Sequence, residues 1–72
     1  MSEMNSTQLE KEILDVVKNS KFGVTASEVA KILGIHRNTA RFYLLLLEKT
    51  GEIIGVNKGR VVIYFPKEGA EG

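Results

Sequence analysis

The chain has 72 residues, of which 43% are apolar and 26% charged. That length admits one small hydrophobic core and excludes a second, and a domain of this size buries only roughly 60% of its unfolded surface. No cysteine is present, which excludes a disulfide or zinc-thiolate framework and leaves packing to hold the fold.

Thr7 and Glu10 have capping-box spacing, and Leu9, Ile13, Val16 and Val17 follow at helical intervals, predicting a first helix to about Asn19. The turn-forming stretch NSKFG then breaks the pattern, and FGV predicts a short strand or an extended entry. Thr25 and Glu28 repeat the capping-box spacing and open a second helix, with Val29, Ala30, Ile32 and Leu33 as its apolar side and Gly34 as its stop. Ile35 and His36 alone separate that stop from a third helix, Arg37 to Thr50, which Gly51 ends. On a wheel of about 100° per residue, Ala40, Tyr43, Leu44 and Leu47 form a core side, with Asn38, Phe42, Leu45 and Lys49 opposite and Leu46 near the edge. The β-branched stretches EIIGVN and RVVIYF, joined by NKGR, predict a hairpin. The domain is expected over residues 7–66, with residues 1–6 and 67–72 as flexible polar ends.

The net charge of +1 is unevenly spread. Residues 1–30 hold five acids and three bases, residues 31–67 two acids and seven bases, and the remainder two acids, giving −2, +5 and −2. A basic block of this kind suits a polyanion, although solvated lysines alone could also produce it.

Two helices joined by a glycine-containing turn make a helix-turn-helix, and the ribbon makes it winged. The fold class expected is mainly α with a small β-ribbon, a three-helix winged helix-turn-helix. Residues 25–65, TASEVAKILGIHRNTARFYLLLLEKTGEIIGVNKGRVVIYF, resemble the winged helix-turn-helix domains of bacterial and archaeal transcriptional regulators. In that family the second helix of the motif lies in the DNA major groove, which implies contacts from His36, Arg37, Asn38, Thr39, Arg41 and Phe42. The wing tip implies Asn57, Lys58 and Arg60, and the start of the first motif helix implies phosphate contacts from Thr25 and Ser27. His36 departs from the pattern, since similar sequences commonly cap this helix with Ser or Thr.

Side-chain chemistry supports the same residues. Arg pairs bidentately with guanine O6 and N7, and Asn with adenine N6 and N7, so Arg37, Asn38 and Arg41 are candidate base readers. Ser, Thr and helix N-termini more often meet phosphate, which sets register without reading sequence. Phe42 can touch a thymine methyl.

Other chemistries find little support. One histidine without cysteine supplies no convincing metal spacing, no serine stands in a nucleophile motif, and neither GVTASE nor GVNKGR is a phosphate-binding loop. The expectation is a non-enzymatic protein with no metal, cofactor or small-molecule ligand. The longest apolar run, Phe42 to Leu47, is far short of the roughly 20 residues that span a bilayer, and MSEMNSTQLEKE is not a signal pattern, so a soluble cytoplasmic protein is expected. Tyr43 and Tyr64 are expected in core and ribbon rather than as base-stacking platforms.

The four consecutive leucines exceed what one core needs. Leu44 and Leu47 belong to it, whereas Leu45 and Leu46 either pack beneath the wing and under long side chains or form an association surface, most simply for a homodimer. The function expected is sequence-specific double-stranded DNA binding by a transcriptional regulator, a repressor acting by operator occupancy. The rivals are a winged-helix protein-interaction module of a larger assembly and RNA or structure-specific binding.

Overall fold

Local stop-and-start signals divide the chain before any long-range contact is considered, and the structure, a computed structural model describing residues 6–67, shows those at Thr25, Gly34 and Gly51 in place. The elements are α1 (Ser6–Lys18), α2 (Ala26–Leu33), α3 (Arg37–Thr50), β1 (Ile53–Lys58) and β2 (Val61–Pro66). Residues 1–5 and 68–72, which hold most of the expected flexible ends, lie outside the described part.

At the start of α2 the Glu28 N–H donates to Thr25 Oγ1 at 3.2 Å, and the Thr25 N–H donates to Glu28 Oε1 at 3.0 Å. Both halves of the capping box are therefore made. Gly34 ends α2 at φ 69°, its N–H donating to the Ala30 carbonyl. His36 then caps α3 in place of the usual hydroxyl, with Nδ1 accepting the Asn38 N–H at 3.2 Å. Gly51 closes α3 at φ 87°. The expected cap at Thr7 is not found: Ser6 is already helical, so Thr7 lies inside α1.

α1 buries Ile13 and Val17, α2 buries Val29 and Ala30, and α3 buries Ala40, Leu44 and Leu47. Ile32, expected on the apolar side of α2, is 63% exposed. It falls roughly 100° around the helix from Leu33, on the side turned from the face that Val29, Ala30 and Leu33 share. Tyr43, expected in the core, is half-buried and packs against its margin.

β1 and β2 pair antiparallel with Ile53 opposite Pro66 and Lys58 opposite Val61. The turn is thus Gly59-Arg60, one position later than the sequence suggested, and Asn57 lies in β1 opposite Val62 instead of in the turn. Gly59 has φ 68° and no described non-glycine residue has positive φ, the combination that a type II′ turn requires. Ile53 and Tyr64 send their side chains into the core, and Val24 extends the sheet by a single antiparallel bridge to Tyr64. The stretch FGV therefore does act as a minimal strand.

Gly23, just before that bridge, has φ 89°, and a Cβ there would meet Ile63 Cγ2 and stand 2.7 Å from Phe65 Cε1. Gly23→Ala therefore combines a positive-φ strain of about 1–3 kcal/mol with a steric clash. Its melting temperature should fall by more than that of Gly34→Ala, where a Cβ meets open space; equal melting temperatures would contradict this packing. Burial, then the nearby Glu48 carboxylate, raise the Tyr64 phenol above its ordinary 10.0, against an opposing pull from Arg41. Because the folded chain holds this proton to higher pH than the unfolded one, stability should drop as pH rises from 10.0 through the raised value. Denaturant melts of the protein and of Tyr64→Phe across that range should show the extra loss only where the hydroxyl is present.

Candidate nucleic-acid interface

One cleft collects side chains from three separate parts of the chain. Thr25, Ala26 and Ser27 line it from the start of α2, Arg37 and Arg41 from the first turns of α3, and Arg60, Val61, Val62 and Tyr64 from the turn and β2. Arg37 and Arg41 reach it together because residues four apart share a helix face, beside the buried stripe of Ala40 and Leu44. Packing of α2 against α3 brings the Thr25 end alongside them, and the tight turn brings Arg60 to the opposite wall.

Three arginines make the cleft lining electropositive. Arg37, Arg41 and Arg60 are all exposed, so their charges are accessible without rearrangement. The first N–H groups of a helix have no intrahelical acceptor, which leaves those of Ala26 and Ser27 directed at whatever occupies this end. The Glu28 carboxylate stands close by but is turned back onto the Thr25 N–H. Thr25 Oγ1 accepts in the cap and keeps its proton for donation outward.

The expected recognition residues divide between this cleft and the outer side of α3. Asn38 and Phe42 are exposed, with Phe42 at 59%, and the Phe42 ring is steadied by an edge-to-face contact with Tyr43 at 5.2 Å. His36 is exposed at the cap and Thr39 is half-buried. Of the expected wing residues, Arg60 lines the cleft, whereas Asn57 and Lys58 lie in β1 and are not part of its lining. Ala26, Val61, Val62 and Tyr64 complete the walls; no sequence signal marked them as site residues, since the hairpin register sets the last three there and Ala26 comes with the start of α2.

Leu45 is 48% exposed and Leu46 half-buried, and together with Phe42, Glu48 and Lys49 they line a second, more apolar groove on the C-terminal half of α3. Among the described residues no group of three or more His, Cys, Asp or Glu could hold a metal ion, and no helix is long and apolar enough to cross a membrane.

Comparison with curated proteins returned no match. A protein-family model, that of the FaeA-like proteins, matches residues 9–63, which takes in most of α1 and extends through α2, α3 and β1 into β2. This match covers well over half of the chain and the whole of the helix-turn-helix with its wing turn. Three helices, an antiparallel hairpin and that match agree, and the chain belongs to the FaeA-like protein family, a family of winged-helix-like regulators.

Proposed function

We propose that this protein binds double-stranded DNA sequence-specifically and regulates transcription, in the simplest case as a repressor that occupies its operator. Membership of a family of the DNA-binding regulator kind supports the reading. The observation that carries it is the convergence of Arg37, Arg41 and Arg60 with the start of α2 in one cleft.

In this reading α3 enters the major groove, Asn38, Arg37 and Arg41 address base edges, and Phe42 meets a thymine methyl. The Ala26 and Ser27 amides and the Thr25 and Ser27 hydroxyls hold a flanking phosphate, and Arg60 follows the backbone at the wing. Such a role is one of binding and not catalysis, needs no cofactor, and sets the protein in the cytoplasm.

A second reading has an observation of its own. The groove of Phe42, Leu45 and Leu46 is an apolar surface of the kind that protein-interaction modules use. DNA binding is preferred because that groove needs no arginines, whereas the cleft gathers three of them beside a helix start.

Fluorescence anisotropy of a labelled mixed-sequence duplex should show saturable binding that weakens steeply between low and moderate salt, because each neutralised phosphate releases condensed counterions. Arg37→Ala and Arg41→Ala should each weaken binding by about 1–3 kcal/mol on a preferred sequence and relax the preference. Arg60→Ala should weaken binding alike on all sequences and lower the salt slope by about 1. Wild-type affinity and specificity in both α3 variants would overturn the assignment of α3 as the recognition helix.

A further inference from the structure

His36 caps α3 with one ring nitrogen and keeps the other. Its Nδ1 accepts the Asn38 N–H at 3.2 Å and its carbonyl accepts the Ala40 N–H at 3.1 Å, so the residue is tied to the helix at two points. A nitrogen that accepts a hydrogen bond carries no proton, and a neutral imidazole with Nδ1 bare must carry its proton on Nε2. The tautomer is thus chosen by a backbone N–H. Because the helix fixes that N–H, it also fixes the ring. The two nitrogens face opposite sides, so with Nδ1 turned onto the first turn of α3 the Nε2–H is turned away from it.

Nothing in the described chain takes this proton. His36 is exposed, no described group bonds Nε2, and the first turn of α3 contains no acid. The backbone beneath the ring is anchored from both sides, since Ile35 packs against the core and Ala40 is fully buried. A serine or threonine cap also keeps a proton, but on an oxygen that stays at the helix and rotates. The imidazole carries its donor a ring's width further out and in one direction.

We propose that His36 is a specificity-determining residue of the DNA interface, whose Nε2–H donates to an acceptor atom on a base edge. The inference rests on the DNA-binding reading and adds to it the chemistry of one contact. Asn38 offers both donor and acceptor, and Arg37 a cation on a flexible stem, whereas the capping His36 offers a single donor of fixed direction. Guanine O6, thymine O4 and the purine N7 atoms accept such a bond in the major groove, while cytosine N4 and adenine N6 are donors and are refused. Two features favour a base over a phosphate. The ring precedes Arg37 and Asn38 at the end of α3 assigned to base edges, and it does not join the lining of the arginine cleft, where the proposed phosphate contacts gather. A neutral ring also lacks the charge that dominates phosphate binding.

His36 is the chain's single histidine, so its ring can be observed without ambiguity. Long-range proton–nitrogen correlation spectra at about pH 8, where an ordinary imidazole is neutral, should show Nε2 protonated and Nδ1 bare. The reverse tautomer would overturn the proposal. Binding is read by fluorescence anisotropy on a duplex that the wild type selects from a randomised pool. Two changes remove the outward donor and keep a capping atom: His36→Ser, and a synthetic chain in which Nε2 of His36 is methylated. Both should melt near the wild type and bind this duplex on the order of tenfold more weakly. Exchanging base pairs one at a time should reveal a position that costs the wild type binding but costs His36→Ser nothing further. Wild-type affinity in both altered chains, or a loss traced to a neutral methylphosphonate and to no base pair, would overturn the assignment. If no duplex is selected, the DNA-binding reading itself fails; if Arg37→Ala weakens binding and the His36 changes do not, this inference alone fails.

Discussion

Burial of a single stripe on α3 holds the rest of the molecule in place. Ala40, Leu44 and Leu47 are covered almost completely, by Ile13 and Val17 of α1, Val29 and Ala30 of α2, and Ile53 and Tyr64 of the ribbon. At roughly 25 cal/mol per Å² of apolar surface, such a stripe outweighs any cap or surface charge pair in a chain this short. Its direction fixes the remaining faces of the same helix. Once these three residues point inward, Arg37 and Arg41 must flank the ribbon, and Asn38, Phe42 and Leu45 must face solvent.

The caps then convert this packing into a defined cleft. The box at Thr25 starts α2 beside Arg37, and Gly34 in its left-handed conformation turns the chain so that only three residues separate the end of α2 from the start of α3. His36 shows how much latitude a cap has. An imidazole nitrogen takes the place of the hydroxyl, at the cost of bulk on the exposed start of α3. Gly59 allows a two-residue turn, and that short turn is what carries Arg60 to the cleft wall while Lys58 stays in the strand.

Much of this was legible in the sequence because its signals are local. Capping-box spacing, glycine stops and a 14-residue helix with a clear apolar stripe mark α2 and α3, and their bounds agree with the structure. Where a feature depends on long-range packing, the local pattern does not determine it. Ile32 sits in an eight-residue helix, too short for periodicity to separate its core face from the flank, and it proved exposed. Asn57 differs from its expected place by one position, because both Asn and Gly accept a turn backbone and only the pairing register distinguishes them. The arginine residues could be named from charge and spacing, but their meeting with Ser27 and Arg60 depends on how α2, α3 and the hairpin pack. Likewise the strand order, which leaves β1 at the edge, is a property of the fold and not of any segment. The four leucines divide as the wheel suggests for Leu44 and Leu47, while Leu45 remains largely open beside Phe42.

The central claim is that nucleic acid meets the side of the molecule where α2, α3 and the wing turn converge. Backbone amide shifts of isotopically labelled protein, followed through a titration with a short DNA duplex at low salt, test it most directly. The account predicts the largest changes at residues 25–28, 37–42 and 59–61, with α1 unaffected. Shifts confined to the Leu45 and Leu46 groove, or none from a folded protein, would contradict it.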